Sequence, residues 1–335
     1  MMRKIKYRIF DYAWYIPVQT DLIKALQQHC MFDYCLNQRV QWTDEYFQAV
    51  KGNVNLVSHY TEGLYDVAIL HVDQHVLSPL HQKRRIYDQL NYLIQDIPKI
   101  VVNHGMPIYN KDSVELQSDP IERQIDYVNQ LQDLIDKNTM IVNASSLGSN
   151  QLWGFGLPVI HGIDTENWPF LPKEPRVITT IAEEISKYDH NRQFLSEVAL
   201  ELQNAYGYKL WQRAVNADAD FSLYGNRQYT GRSLLYLDVA IPSLSRSRAE
   251  AFLSGCCVIR LEDAKDLEEW AIPNENIILV PHQAKEIAKV ITHFLEDGYE
   301  KAVQIGKKGK EIAEKKYNLT QYRNSWLDLL KKVTN

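Results

Sequence analysis

Glycine is absent from the first 51 positions of this 335-residue chain, and its first occurrence is Gly52. The first strand-to-helix turn, Tyr12-Ala-Trp-Tyr-Ile-Pro17, therefore cannot be a Gly-rich loop that brings backbone N–H groups against a phosphate. No run of 18 apolar residues occurs, which argues against a membrane-spanning helix. The opening Met-Met-Arg-Lys-Ile-Lys leads into no apolar stretch of the secretory kind. Cysteine is scarce: Cys30, Cys35, Cys256 and Cys257 show no metal-ligand spacing, and adjacent cysteines rarely pair with each other. A reducing, cytoplasmic location is the expectation, with peripheral contact at a membrane left open. Positive charge is not in excess, since 37 Lys and Arg face 42 Asp and Glu for a net charge of −5. That balance disfavours a general nucleic-acid binder.

What is present is an ordinary globular composition, 45% hydrophobic and 24% charged, in a chain long enough for two domains. Short apolar runs at 6–14, 32–36, 54–58 and 67–72 alternate with helical or turn-rich segments, the first of them a helix at 18–29 with Leu22, Ile23 and Leu26 on one face. Such alternation predicts an α/β fold with parallel sheets covered by helices. Further strands are expected at 98–103, 139–146 and 157–164. Pro169, Pro172 and Pro175 then stiffen a stretch read as a linker at 165–175, dividing the chain into 1–168 and 169–335. In the second part, strands are expected at 176–181, 208–213 and 277–280. Helices are expected at 193–204, 229–235, 284–295, 302–317 and 319–333.

Ligands on parallel sheets bind at the carboxyl ends of the strands, so polar residues there are candidates. His71, Asp73 and His75 alternate at the end of one strand and are expected to point one way into a cleft, a reading preferred here to a metal site. In Pro98-Lys-Ile-Val-Val-Asn-His-Gly-Met-Pro107, His104 and Gly105 follow directly on a buried strand, which marks His104 as functional.

The most informative stretch is Ile241-Pro-Ser-Leu-Ser-Arg-Ser-Arg-Ala-Glu-Ala-Phe-Leu-Ser-Gly-Cys-Cys-Val-Ile-Arg260. It reads as a loop, a short helix and a buried strand, with Ser243, Ser245 and Ser247 as loop or capping types and Gly255 as the helix C-cap. A loop opening into a helix N-terminus offers N–H groups to a phosphate, and Glu250 lies one turn in, placed to accept hydrogen bonds from a ribose.

The pattern Glu-Ala-x-x-x-Gly-x-x-Val-Ile after a Ser/Arg-rich loop resembles the nucleotide-sugar motif of retaining, "group 1" glycosyltransferases of the GT-B type. The resemblance implies two Rossmann-like domains facing across a cleft, with the donor in the second and the acceptor mostly in the first, and a final helix crossing back to the first domain. It makes Glu250 the ribose ligand and Ser243, Ser245, Arg246, Ser247 and Arg248 the loop facing diphosphate and sugar. His104 falls near the transferred sugar, with Gly105, His71 and Asp73 lining the acceptor side. Lys187 and Arg192 take the place of the family's diphosphate-neutralising cations, though without its usual spacing. The implied reaction moves a hexosyl or related sugar from a UDP- or GDP-sugar to an acceptor hydroxyl with retention, and requires no metal. One departure is plain: the family's second glutamate, eight residues before Glu250, is Pro242 here. Two rival readings follow, a non-catalytic relative serving as a binding or partner subunit, and a sugar-nucleotide epimerase that converts the donor alone.

Overall fold

The computed structural model describes residues 6–12, 16–35, 50–104, 127–144, 150–151, 153–179, 189–212, 223–239, 246–264 and 267–335. The chain divides into two compact units, Met1–Gly162 with Leu319–Asn335, and Ile163–Asn318. The division thus falls at Gly162/Ile163, ahead of the proline-rich stretch.

The first unit is built on seven strands: β1 (Tyr7–Tyr12), β2 (Cys30–Cys35), β3 (Val54–Val57), β4 (Val67–Val72), β5 (Lys99–Asn103), β6 (Thr139–Asn143) and β7 (Leu157–Pro158). They run parallel in the order β3-β2-β1-β4-β5-β6-β7. Its helices are α1 (Ile16–Leu26), α2 (Gln74–Leu77), α3 (Gln82–Leu93) and α4 (Tyr127–Gln132). The apolar runs look continuous because both faces of the sheet are covered, and the pleat sorts them. Ile9, Val67, Ile69, Ile100 and Val102 fall in one core cluster, together with Leu22, Ile23 and Leu26 of α1. Phe10, Ala68, Leu70 and Val101 fall in the other, with Tyr87 of α3 and Leu131 of α4.

The second unit carries β8 (Glu174–Thr179), α5 (Asp189–Tyr206), β9 (Leu210–Gln212), α6 (Leu223–Arg232), β10 (Ser233–Asp238), α7 (Arg246–Leu253), β11 (Cys257–Leu261), β12 (Ile278–Val280), α8 (Ala284–Leu295) and α9 (Tyr299–Lys316). Its five strands are also parallel, in the order β12-β11-β10-β8-β9. Leu195, Val198 and Leu202 of α5 and Ile287, Ile291 and Phe294 of α8 cover one face. The chain then returns to the first unit for α10 (Leu319–Thr334). There Tyr322, Trp326, Leu329 and Leu330 join the core cluster of α1.

One expectation is corrected. The helix read at 229–235 ends at Arg232, and Ser233 to Leu235 already belong to β10. All six residues of β10 are buried, so Leu234-Leu-Tyr-Leu237 is the run of a covered strand rather than a helix face. Ser233 Oγ donates to the Tyr229 carbonyl at 2.9 Å, satisfying a carbonyl of the helix's last turn.

All four cysteines are buried, and none of them forms a disulfide. Among the described residues no helix is long and apolar enough to cross a membrane.

Candidate functional site

In the first unit the strand order reverses between β1 and β4, the point at which open parallel sheets bind ligands beyond the strands' carboxyl ends. The alternation that puts Ile9, Ile69 and Val102 in one core brings the next residue of each row, two positions on, to the same face: Asp11, His71 and His104. His104 stays in line with the sheet because its N–H donates to the Val72 carbonyl at 2.8 Å, one step past the end of β5.

The three side chains meet. His71 Nδ1 lies 2.8 Å from His104 Nε2. His71 Nε2 faces Asp11 Oδ1 across 3.3 Å. The rings of His71 and His104 are 5.1 Å apart between centroids and only 9° from parallel. That separation equals the nitrogen–nitrogen contact plus two ring radii, so the rings meet edge to edge in a common plane rather than stacking. His161 lies beyond, its ring 6.4 Å from that of His104 and within 5° of parallel. Behind Asp11, Gln19 Nε2 donates to Asp11 Oδ1 at 2.7 Å and to the Tyr12 carbonyl at 2.9 Å, while Tyr34 donates to Gln19 Oε1 at 3.1 Å. Burial, reinforced by His71 and His161, holds the His104 imidazole neutral well below the usual histidine range.

Asp73 departs from the expected row. Its strand stops at Val72, and Asp73 caps α2 instead, accepting from the Val76 N–H at 3.1 Å and from Lys83 Nζ at 2.9 Å. His75 sits in that helix, so the alternation read from the sequence does not continue past the strand. Among the described residues no group of three or more His, Cys, Asp or Glu is placed to hold a metal ion.

In the second unit, α7 is buried along its whole length. Its C-terminus is a Schellman turn: Gly255 N–H bonds to the Phe252 carbonyl at 2.8 Å and Cys256 N–H to the Ala251 carbonyl at 3.0 Å. Gly255 has φ +73, and a Cβ there would lie 2.5 Å from the Phe170 ring, so this position requires glycine. Two lysines bind the remaining carbonyls. Lys310 Nζ donates to Leu253 at 2.5 Å, and Lys173 Nζ to Ser254 at 2.8 Å, charges of the sign that a helix C-terminus favours.

The charged residues of α7 are paired inside the unit. Arg246 Nε donates to Glu250 Oε1 at 2.8 Å, one turn along the helix. Arg248 reaches Glu268 Oε1 at 2.7 Å and Asp238 Oδ2 at 2.9 Å, and Arg260 stands 3.2 Å from the same Asp238 oxygen. Tyr317 adds a contact to Glu268 Oε1 at 3.4 Å, and burial first, then Glu268, push its phenol well above the usual range. Arg248, expected in the sugar-facing loop, is therefore an internal tie between α7, the end of β10 and Glu268. Ser247 is buried on the same helix. Ser243, Ser245, Lys187, Gly105 and Pro242 lie outside the described residues, and Arg192 is described only as part of α5. Sequence reasoning passed over Asp11 and His161. An acidic residue in an apolar strand, two positions past Ile9 of the core, is the signal that could have found Asp11.

No family model matches the chain, and no curated protein matches it either. Solved structures do match, at full length. HepE from Anabaena, in complex with UDP and glucose, superposes with a TM-score of 0.63 at 11% identity, over 97% of this chain and 100% of that one. Sucrose-phosphate synthase from Thermosynechococcus elongatus gives 0.62 at 12% identity over 98% and 99%, and a glycosyltransferase from Rickettsia africae gives 0.58 at 12% over 98% and 98%. The fold is thus of the GT-B kind, two Rossmann-like α/β units each built on a parallel sheet.

Proposed function

We propose that this chain is a glycosyltransferase that moves a sugar from a nucleotide-sugar donor to an acceptor hydroxyl with retention of configuration. The observation that carries the reading is the likeness of fold over nearly the whole chain to glycosyltransferases, among them one in complex with UDP and glucose. The loop–helix–strand around Glu250 supports it. Glu250 is the ribose ligand, its carboxylate oriented by Arg246. Ser243, Ser245 and the N–H groups opening α7 receive the diphosphate, and Lys187 and Arg192 neutralise it as it leaves. His104, flanked by Gly105 and His71, hydrogen-bonds a sugar hydroxyl. Arg248 holds α7 in place rather than touching the donor.

A thermal-shift panel of UDP-, GDP-, ADP- and TDP-sugars tests this, with Glu250→Gln and Glu250→Ala alongside. A ligand at 100 times its Kd adds about 2.7 kcal/mol to the state that binds it. One nucleotide class is expected to raise the melting temperature of the wild type and not of the variants. If none raises it, the donor site is misassigned. Pro242 favours a second reading, a subunit that binds nucleotide-sugar without turnover. Stabilisation by a donor together with no transfer to any carbohydrate or lipid-linked acceptor would select it.

A further inference from the structure

We propose that Asp11 and His71 are positioning residues that fix the tautomer of His104, so that its Nδ1 presents a lone pair, not a proton, to a sugar hydroxyl. The sugar rests on the glycosyltransferase reading; the tautomer rests on geometry alone.

Asp11 is fully buried; Gln19 donates to its Oδ1, and His71 Nε2 stands 3.3 Å from the same oxygen without the alignment of a hydrogen bond. A lone pair on that nitrogen would face the carboxylate's own, so the proton of a neutral His71 belongs on Nε2, the nitrogen facing Asp11. His71 Nδ1 is then a lone pair. The 2.8 Å in-plane contact to His104 Nε2 requires one proton between the two nitrogens, and His104 must supply it. With Nε2 protonated, a neutral His104 keeps its lone pair on Nδ1. Donors therefore point toward Asp11 from both sides, Tyr34 through Gln19 and His104 through His71. The carboxylate orients an imidazole it does not touch, by way of a second imidazole. A lone pair on Nδ1 selects a hydroxyl group as its ligand and turns away a group that can only accept, which suits a polyol.

Histidine-selective 15N labelling of the full chain reads each ring nitrogen directly. In the wild type at about pH 9, well above the ordinary histidine range, His71 and His104 are each expected to be protonated on Nε2 and bare on Nδ1. A proton on Nδ1 of His104 would overturn the proposal. His71→Phe removes the acceptor and is expected to abolish the single-tautomer signal of His104, whereas His71→Asn, whose amide oxygen can take the Nε2 proton, restores it in part. A His104 tautomer unchanged in His71→Phe would also sink the idea, since His71 would then not set it. The wild-type spectrum decides the question even if a variant fails to fold. Titration with UDP, glucose and UDP-glucose separates this inference from the functional reading. A shift of His104 Nδ1 with UDP-glucose but not UDP identifies the donor sugar as its ligand, and a shift with glucose alone identifies an acceptor. No response to any of them, with the tautomer as described, counts against the transferase reading and leaves the positioning intact.

Discussion

Replacing Arg248 by methionine removes one guanidinium from a site where two carboxylates depend on it. Asp238, Arg248, Arg260 and Glu268 are each no more than 6% exposed, and together two positive and two negative charges cancel. The substitution leaves one carboxylate in excess. Asp238 keeps Arg260 at 3.2 Å, so the loss falls on Glu268, which keeps the Tyr317 hydroxyl at 3.4 Å. Removing one partner of a buried ion pair costs about 3–5 kcal/mol, because the charge left behind is desolvated and uncompensated. An exposed pair such as Lys308–Glu275 contributes about 0.2–1 kcal/mol by comparison. For a unit of this size, each kcal/mol moves the melting midpoint by about 2–4 °C, so a fall of roughly 6–20 °C is expected. Thermal unfolding of the full chain, with a UDP titration beside it, is the assay. The double variant Arg248→Met/Glu268→Gln should recover a large part of the loss, since the coupled groups are not additive. An unchanged midpoint combined with lost UDP affinity would refute the reasoning, for it would mean that the guanidinium serves a ligand and not the fold.

Two further outcomes follow from close packing and from burial. Gly162→Ala would place a Cβ 2.2 Å from the Tyr322 ring, against the helix that completes the first unit, and should cost about 1–3 kcal/mol by overpacking; a urea midpoint equal to wild type would show that α10 yields freely. His104 is held neutral well below 6.5 by burial and by His71 and His161, so as the pH falls the unfolded chain takes up that proton first. The unfolded state then binds more protons than the native state below about 6.5, and stability must decline with acid by up to about 1.4 kcal/mol per pH unit for this group. His104→Gln should flatten the stability profile between about pH 7 and 5, and an equally steep profile in the variant would show that another group carries it.

Most strands were legible because both faces of each sheet are covered, which makes short apolar runs stand out from their polar surroundings. The boundary between α6 and β10 was not, because helix and strand abut at Arg232 and Ser233 with no turn between them. His71 and His104 could be singled out one at a time from their places at strand ends. Their contact could not, since 33 residues separate them and the strand order that makes β4 and β5 neighbours is a property of the folded sheet. Asp73 misled because alternation was carried past the strand's last residue, Val72, to the position just before α2, where the carboxylate serves as the helix cap.

The arginines around α7 carry the same lesson into the chemistry of the site. In the sequence, Arg246 and Arg248 in a Ser-rich loop look like cations waiting for a diphosphate. In the fold, Asp238, ten residues before Arg248, and Glu268, twenty after it, close on Arg248, and Glu250 closes on Arg246. These ties leave the described side chains of α7 with little net charge to offer an anion. A diphosphate received here would have to be met mainly by backbone N–H groups at the opening of α7, with cations such as Lys187 and Arg192 from outside that helix. The ion pairs then have a different use. Under the proposed reading, a helix whose own charges are internally balanced would need little rearrangement of its N–H groups and of the Glu250 carboxylate to receive a nucleotide.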